Sequence, residues 1–325
     1  MINFAVIGTN FITDRFLEAA SSVPEFCLKA VYSRTMERAQ DYARRHGAER
    51  TFDSLDDLAA CPDVDAVYVA SPNCCHAAQS IQMMKAGKHV LVEKPAASNL
   101  REFRQMKETA LEKGVILLEA MRSVFSPGFE AVRENLRELG TIRRVLFQFC
   151  QYSRRYDKFK NGIIENAFRP EMSNGALMDI GVYCVHPLAD LFGMPERIKS
   201  SSLKLSNGFE GAGTILVEYE GMQGELIYSK ITDSRVPSQI QGENGVMLID
   251  RIHEPQEVTI CFRDGREKKP DIPKNSNNMV YETEEFIRLI HAGTADHKWL
   301  ENSETEMRIM DEVRGQQGIR FPADK

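Results

Sequence analysis

The groups in this chain best suited to moving a proton beside a reacting oxygen are one lysine and one phenol. Lys94 stands between Glu93 and Pro95; Tyr183 follows Asp179 by four residues in the run Asn174-Gly175-Ala176-Leu177-Met178-Asp179-Ile180-Gly181-Val182-Tyr183. If that run is helical from Ala176, Asp179 and Tyr183 share a face, and His186 lies one turn beyond Tyr183. A buried carboxylate needs a cation, and Lys94 is the leading candidate partner for Asp179. Gly175 and Gly181 are poor helix formers, so their positions imply close packing against a cofactor or the other domain. Each reading has a plain alternative. Lys94 could be a solvated loop residue, Tyr183 a packed helix residue, and His186 either substrate-facing or a satisfied structural histidine.

A second chemistry-bearing segment lies at the start. Gly8-Thr9-Asn10-Phe11-Ile12 links an apolar run to a helical pattern, a turn that can set backbone N–H groups beside a pyrophosphate. Asn10 and Thr13 replace the second and third glycines of the usual fingerprint, and Asn tolerates the left-handed geometry better than most residues. After the second apolar run, Ser33 and Arg34 occupy the place where a carboxylate often binds an adenosine ribose. A hydroxyl and a guanidinium there suit a 2′-phosphate, which favours NADP(H) over NAD(H). The alternative has Arg34 stacking on adenine or facing solvent. Ser71, Asn73 and His76 follow a third apolar run, and Glu93 and Lys94 a fourth, which puts both groups at the ends of strands lining a cofactor crevice. His76 serves equally well as a helix-stabilising residue. Arg122 stands at the junction of the two halves, suited to contact cofactor, substrate or a carboxylate across the junction.

The elements that must position these groups alternate in the first third. Short runs Phe4–Ile7, Cys27–Tyr32, Ala66–Ala70, His89–Val92 and Val115–Leu118 read as strands, with helices over 11–20, 35–46, 76–86 and 100–113. That cadence predicts an α/β, Rossmann-type parallel sheet covered on both faces, spanning 1–121. Beyond it, long β-like runs and Gly-rich turns predict an α+β domain with a largely antiparallel open sheet over 122–325. A polar stretch over 153–175, including Arg154, Arg155, Lys158, Glu165, Asn166 and Arg169, suits the mouth of a site for a polyhydroxylated or acidic small molecule.

Composition sets limits. At 325 residues the chain exceeds one ordinary domain, and 42% hydrophobic content suffices for two cores. A formal charge of −6 disfavours a nucleic-acid partner. No apolar run is long enough for a bilayer and none reads as an export signal, so the expected location is the cytoplasm. Seven cysteines and seven histidines lack the spacing of a disulfide scaffold or a metal site, and adjacent Cys74 and Cys75 read equally as small buried side chains.

These motifs together resemble the glucose-fructose oxidoreductase and inositol dehydrogenase family, the Gfo/Idh/MocA oxidoreductases, over essentially the whole chain. Ile7-Gly8-Thr9, Ser71-Pro72-Asn73 with His76, Ala86-Gly87-Lys88-His89-Val90 leading to Glu93-Lys94-Pro95, and Gly175 to Tyr183 carry the resemblance. Gly242-Glu243-Asn244-Gly245 and Gly318-Ile319-Arg320-Phe321-Pro322 add to it. It implies that Lys94 is catalytic beside the nicotinamide and that Asp179 is the family's carboxylate in the second domain. Tyr183 stands where inositol dehydrogenase-like members carry a proton-transfer histidine; members with Tyr there are the nearer match. It further implies reversible hydride transfer with a sugar, cyclic polyol or dihydrodiol-like compound, and a homodimer or homotetramer built on the open sheet. A free phenol ionises near pH ~10, so acid–base work near neutrality requires roughly 4 kcal/mol of tuning, part of it from the Lys94 ammonium. The rival from another class is a nicotinamide-binding regulatory protein without turnover.

Overall fold

A computed structural model describes residues 1–325. The chain divides into two compact units, and the division is discontinuous. Residues Met1–Ala120 and Asn277–Glu304 form the first; Met121–Ser276 and Thr305–Lys325 form the second. The first boundary falls within a residue of the expected one, but residues 277–304, read as part of the second half, return to the first.

In the first unit, β1 (Ile2–Ile7), β2 (Phe26–Tyr32), β3 (Arg50–Phe52), β4 (Ala66–Val69), β5 (His89–Glu93) and β6 (Leu117–Ala120) pair in parallel, in the order β3-β2-β1-β4-β5-β6. The order reverses between β1 and β4, which opens a crevice at their carboxyl ends. Helices α1 (Phe11–Ala20), α2 (Met36–His46), α3 (Leu55–Ala60), α4 (Asn73–Lys85) and α5 (Leu100–Lys113) make the crossovers. Phe4, Val6, Val67, Leu91 and Val92 are fully buried, as strands covered on both faces require. β3 and α3 had no sequence signal, since runs of three and six residues carry too little periodicity.

The second unit contains α6 (Pro127–Asn135), β7 (Ile142–Cys150), α7 (Arg154–Lys160), a π-helical turn at Leu177–Gly181 and α8 (Val182–Phe192). Strands β8 (Arg197–Lys204), β9 (Glu210–Tyr219), β10 (Met222–Ser229), β11 (Ser238–Gly242), β12 (Gly245–Ile249), β13 (Val258–Phe262) and β14 (Glu267–Lys268) follow. The eight-stranded sheet runs β14-β13-β12-β11-β7-β10-β9-β8. Its pairs are antiparallel except β7 with β10, which is parallel. One face, with Val145, Phe147, Val217, Leu226 and Tyr228, belongs to the core that includes Leu188 of α8. Leu203 and Leu216 are exposed.

Last come α9 (Met279–Ala292) and α10 (Lys298–Gln317). α9 belongs to the first unit, where Phe286 meets the Phe4 ring edge-on at 5.8 Å. No helix is long and apolar enough to cross a membrane. The seven cysteines are free thiols, and Cys74 and Cys75 are partly exposed rather than buried, their sulfurs 3.8 Å apart.

Candidate functional site

The first-unit residues gather at the carboxyl ends of the parallel strands. Gly8 follows β1 with φ of +112°, and a Cβ there would lie 2.5 Å from the Ala70 carbonyl oxygen after β4. Only glycine fits, but the close neighbour is the chain's own backbone rather than the ligand expected from the motif. Asn10 explains the missing second glycine. Its side-chain oxygen accepts from the Ile12 and Thr13 N–H groups, capping α1, while its amide donates to Ala70 at 2.7 Å. Phe11 is 61% exposed at the same turn, an apolar surface beside the helix N-terminus. Thr9 is gripped by Arg38, whose guanidinium donates to its hydroxyl at 2.6 Å and its carbonyl at 2.9 Å. Arg38 was missed by the sequence reading, although it stands four residues after Arg34 on the exposed side of α2. Ser33 is buried with its N–H bonded to Phe52, and Arg34 is exposed.

The loop bearing Lys94 is anchored on several sides. Tyr68 donates to the Glu93 carboxylate at 2.6 Å, and that carboxylate accepts the Lys94 N–H at 3.2 Å. Glu93 is therefore a buried loop anchor. Glu119 on β6 accepts from the Ala96 N–H at 2.8 Å and the Ser303 hydroxyl at 2.6 Å. His76 is buried on α4, its ring nitrogens 2.9 Å from the Pro95 carbonyl and 2.8 Å from the Ser71 carbonyl. Burial holds its imidazole below the usual histidine range, against the pull of those two carbonyls. His76 thus lies between the loop after β4 and the loop after β5, its neutral ring donating to one carbonyl at a time. Ser71 donates to Gln79 at 2.6 Å, and Asn73 opens α4. Such anchoring fixes the backbone that carries Lys94.

In the second unit the π-helical turn alters the expected α-helical register between Asp179 and Tyr183. π-turns are rare and frequent at functional sites. Within this unit Asp179 pairs with Lys230, a residue the sequence reading did not single out. The Lys230 ammonium is buried, reaches the Ala167 carbonyl, and lies 5.1 Å from the Phe168 ring and 5.6 Å from the Phe209 ring. Tyr183 is 6% exposed; the Arg122 Nε donates to its phenol oxygen at 3.3 Å. Phe149 meets the Tyr183 ring edge-on at 5.7 Å, and His253 stacks on Phe149 at 3.8 Å. Burial, with the Arg122 and Arg251 cations, pushes the His253 imidazole down to about 3, so it is neutral near pH 7.

The glycines of this segment pack against their own unit. A Cβ on Gly175 would lie 2.7 Å from the Glu210 carboxylate, and one on Gly181 would lie 3.0 Å from the Tyr228 ring. Glu210 accepts the Leu177 N–H at 2.9 Å, and burial pushes its carboxyl up to about 7. His186 bonds to Glu306 at 2.6 Å with both side chains buried, which favours the structural reading of that histidine. In the polar stretch, Glu165 pairs with Arg155 and Lys158, and Asp157 with Lys160. Many of its charges therefore satisfy one another.

A family model described as "Oxidoreductase family, NAD-binding Rossmann fold" matches residues 2–121, and one described as "GFO/IDH/MocA C-terminal domain" matches residues 129–248. Scyllo-inositol 2-dehydrogenase (NADP(+)) IolU of Bacillus subtilis (strain 168) is 48% identical over 327 residues, covering 100% of both chains. The chain belongs to the Gfo/Idh/MocA oxidoreductases. Its fold class, with a parallel Rossmann sheet and a mixed, largely antiparallel second sheet, agrees with that membership. Among other Gfo/Idh/MocA relatives, an uncharacterized oxidoreductase, YgjR, of Escherichia coli (strain K12) is 39% identical over 324 residues, covering 100% of this chain and 99% of its own. The crystal structure of KijD10, a 3-ketoreductase from Actinomadura kijaniata in complex with NADP and TDP-benzene, superposes with a TM-score of 0.85 at 24% identity, covering 98% of each chain. This Gfo/Idh/MocA member is accordingly an NAD(P)-dependent oxidoreductase.

Proposed function

We propose that the protein transfers a hydride between NADP(H) and a ring carbon of a cyclic polyol or sugar, interconverting a secondary alcohol and a ketone. The observation that carries this reading is full-length identity of 48% to an NADP-dependent scyllo-inositol dehydrogenase. The first unit's residues fit such a cofactor. Gly8, Thr9, Asn10, Phe11 and Ile12 supply a capped helix N-terminus for a pyrophosphate, and exposed Arg34 with Arg38 offers cations, and Ser33 a hydroxyl, for a 2′-phosphate. The side of the crevice carrying Ser71, Asn73 and Lys94, with His76 and Glu93 holding its loops, suits the nicotinamide end. NAD(H) is the weaker fit, since no carboxylate ends β2 to accept from a ribose.

When bound, the cofactor supplies or accepts the hydride. Tyr183 takes the hydroxyl proton in oxidation and returns it in reduction. Lys94 stabilises the charge that develops on the same oxygen. Asp179, with its charge balanced by Lys230, orients the polar groups around that oxygen. The open sheet of the second unit serves assembly into a homodimer or homotetramer.

The test is a screen of inositol isomers, hexoses and dihydrodiols with NADP+ and with NAD+, followed by absorbance of the reduced nicotinamide. Turnover of at least one cyclic polyol, with higher kcat/KM using NADP+, is the expected result. Tight NADPH binding with no turnover of any polyol or sugar would overturn the substrate assignment.

A further inference from the structure

We infer that Glu210 is a positioning residue: from a neighbouring strand it caps the helical segment that carries Asp179 and Tyr183, and it holds the π-turn of that segment in register. The inference deepens the function proposed above and rests on it only for its catalytic consequence. Every residue it involves belongs to the second unit.

The first N–H groups of a helix have no acceptor within the helix. Ala176 stands at the N-cap position of the π-turn and has no side-chain oxygen to offer. The acceptor comes from β9 instead. Glu210 Oε2 lies 2.9 Å from the Leu177 nitrogen, and the same carboxylate meets the Ala176 N–H. A carboxylate is also the charge that a helix N-terminus favours. Gly175 is what allows the approach, because a Cβ there would lie 2.7 Å from that oxygen.

The far end of the π-turn rests on a side chain bonded to Glu210. Tyr228 of β10 is fully buried and hydrogen-bonds the Glu210 carboxylate, while Gln317 of α10 donates to its phenol oxygen at 3.2 Å. A Cβ on Gly181, the last residue of the π-turn, would lie 3.0 Å from the Tyr228 ring. Glu210 and Tyr228 thus form one cradle, with a glycine beside each end of the turn it holds. A π-turn takes one residue more than an α-turn, so relaxing it would rotate Asp179 by about 100° around the axis relative to Tyr183. Burial raises the Glu210 carboxyl to about 7 against the pull of Lys204 on β8. Protonated or ionised, it keeps an oxygen for the Leu177 N–H.

Amide hydrogen exchange of the whole chain, without cofactor or substrate, tests the cap directly. At pH 6 the amides of residues 176–181 should exchange about fivefold to tenfold faster in Glu210→Ala than in the parent, as expected of a lost hydrogen bond. Glu210→Gln keeps an acceptor oxygen and should return exchange there close to that of the parent. Gly175→Ala, whose methyl displaces the carboxylate, should act like Glu210→Ala with Glu210 still in the chain. Equal exchange over 176–181 in all four chains would overturn the inference. So would an acceleration spread evenly over the second unit, which marks lost global stability rather than a lost cap. A kinetic arm with scyllo-inositol and NADP+ separates the inference from the function proposed above. In Glu210→Ala, kcat should fall about tenfold with NADPH affinity kept, and Glu210→Gln should recover most of it. Local acceleration with kcat unchanged supports the cap and overturns the roles given to Asp179 and Tyr183. A parent chain that turns over no polyol overturns the substrate assignment alone, and the exchange result still decides the cap.

Discussion

Replacing Glu210 with Gln should make the protein more stable in mild alkali and leave it nearly unchanged in mild acid. Glu210 is 2% exposed at the start of β9, and its carboxylate receives the Leu177 N–H at the base of the segment carrying Asp179 and Tyr183. Burial is the largest influence on its carboxyl; the hydrogen bonds from Leu177 and Tyr228 and the Lys204 cation oppose it without prevailing, and the group titrates at about 7 against an ordinary 4.5. The folded chain therefore retains a proton between pH 4.5 and 7 that the unfolded chain has released. Folding stability falls as pH rises through that window, because the folded state binds more protons there. At about 1.4 kcal/mol per pH unit, the loss above pH 7 is on the order of 3 kcal/mol. Gln keeps an oxygen for the Leu177 N–H and cannot ionise, so Glu210→Gln removes the loss. Urea midpoints of the two chains, followed by circular dichroism, should nearly coincide at pH 5 and separate in favour of the variant toward pH 8. A separation that is constant with pH, or that favours the parent at pH 8, would refute the argument.

Other expectations follow from the same geometry. Gly8→Ala places a methyl against the Ala70 carbonyl in a backbone conformation unsuited to alanine; it should lower the melting temperature and weaken NADPH binding by about tenfold or more, read by calorimetry and by fluorescence titration. Arg34→Ala should raise the Kd for NADPH by roughly tenfold or more while changing that for NADH little; equal changes would remove the 2′-phosphate assignment. Tyr183→Phe should depress kcat by about 10²-fold to 10⁴-fold with NADPH affinity retained, since the ring stays and the proton carrier goes. Lys230→Met should destabilise the second unit by about 1 kcal/mol through the lost ion pair with Asp179, and adding Asp179→Asn should recover part of that in a thermal-melt cycle.

Much of this fold was legible because local rules suffice for it. The β1 run ending in Gly8, the helix after Asn10 and the alternating runs to Leu118 specify parallel strands with crossovers. The second sheet was readable in β7, β9 and β10, whose β-branched and aromatic residues are dense. It was not readable in β8 or β11, where Ser, Lys and Gln interrupt the apolar residues. α7 was hidden because its aromatic residues sit among paired charges. The candidate site divides in the same way. Gly8, Lys94, Asp179 and Tyr183 could be named from motif and spacing, whereas the residues that hold them could not. Arg38, Glu119, Lys230 and Glu210 act on partners 23 or more positions away, and nothing in a linear pattern records such pairs. The π-helical turn was equally invisible, because its composition is that of an ordinary helix.

The return of residues 277–304 to the first unit means that its hydrophobic interior is completed only late in synthesis. Until α9 emerges, Phe4 lacks the Phe286 ring, and the Arg15 carbonyl within α1 lacks the Asn277 amide. A fragment stopping near Ala120 would carry every strand of the parallel sheet and still present an unfinished apolar surface to water. Dinucleotide affinity measured on such an N-terminal piece would describe a truncated core, and a ribosome-bound nascent chain of that length faces the same exposure.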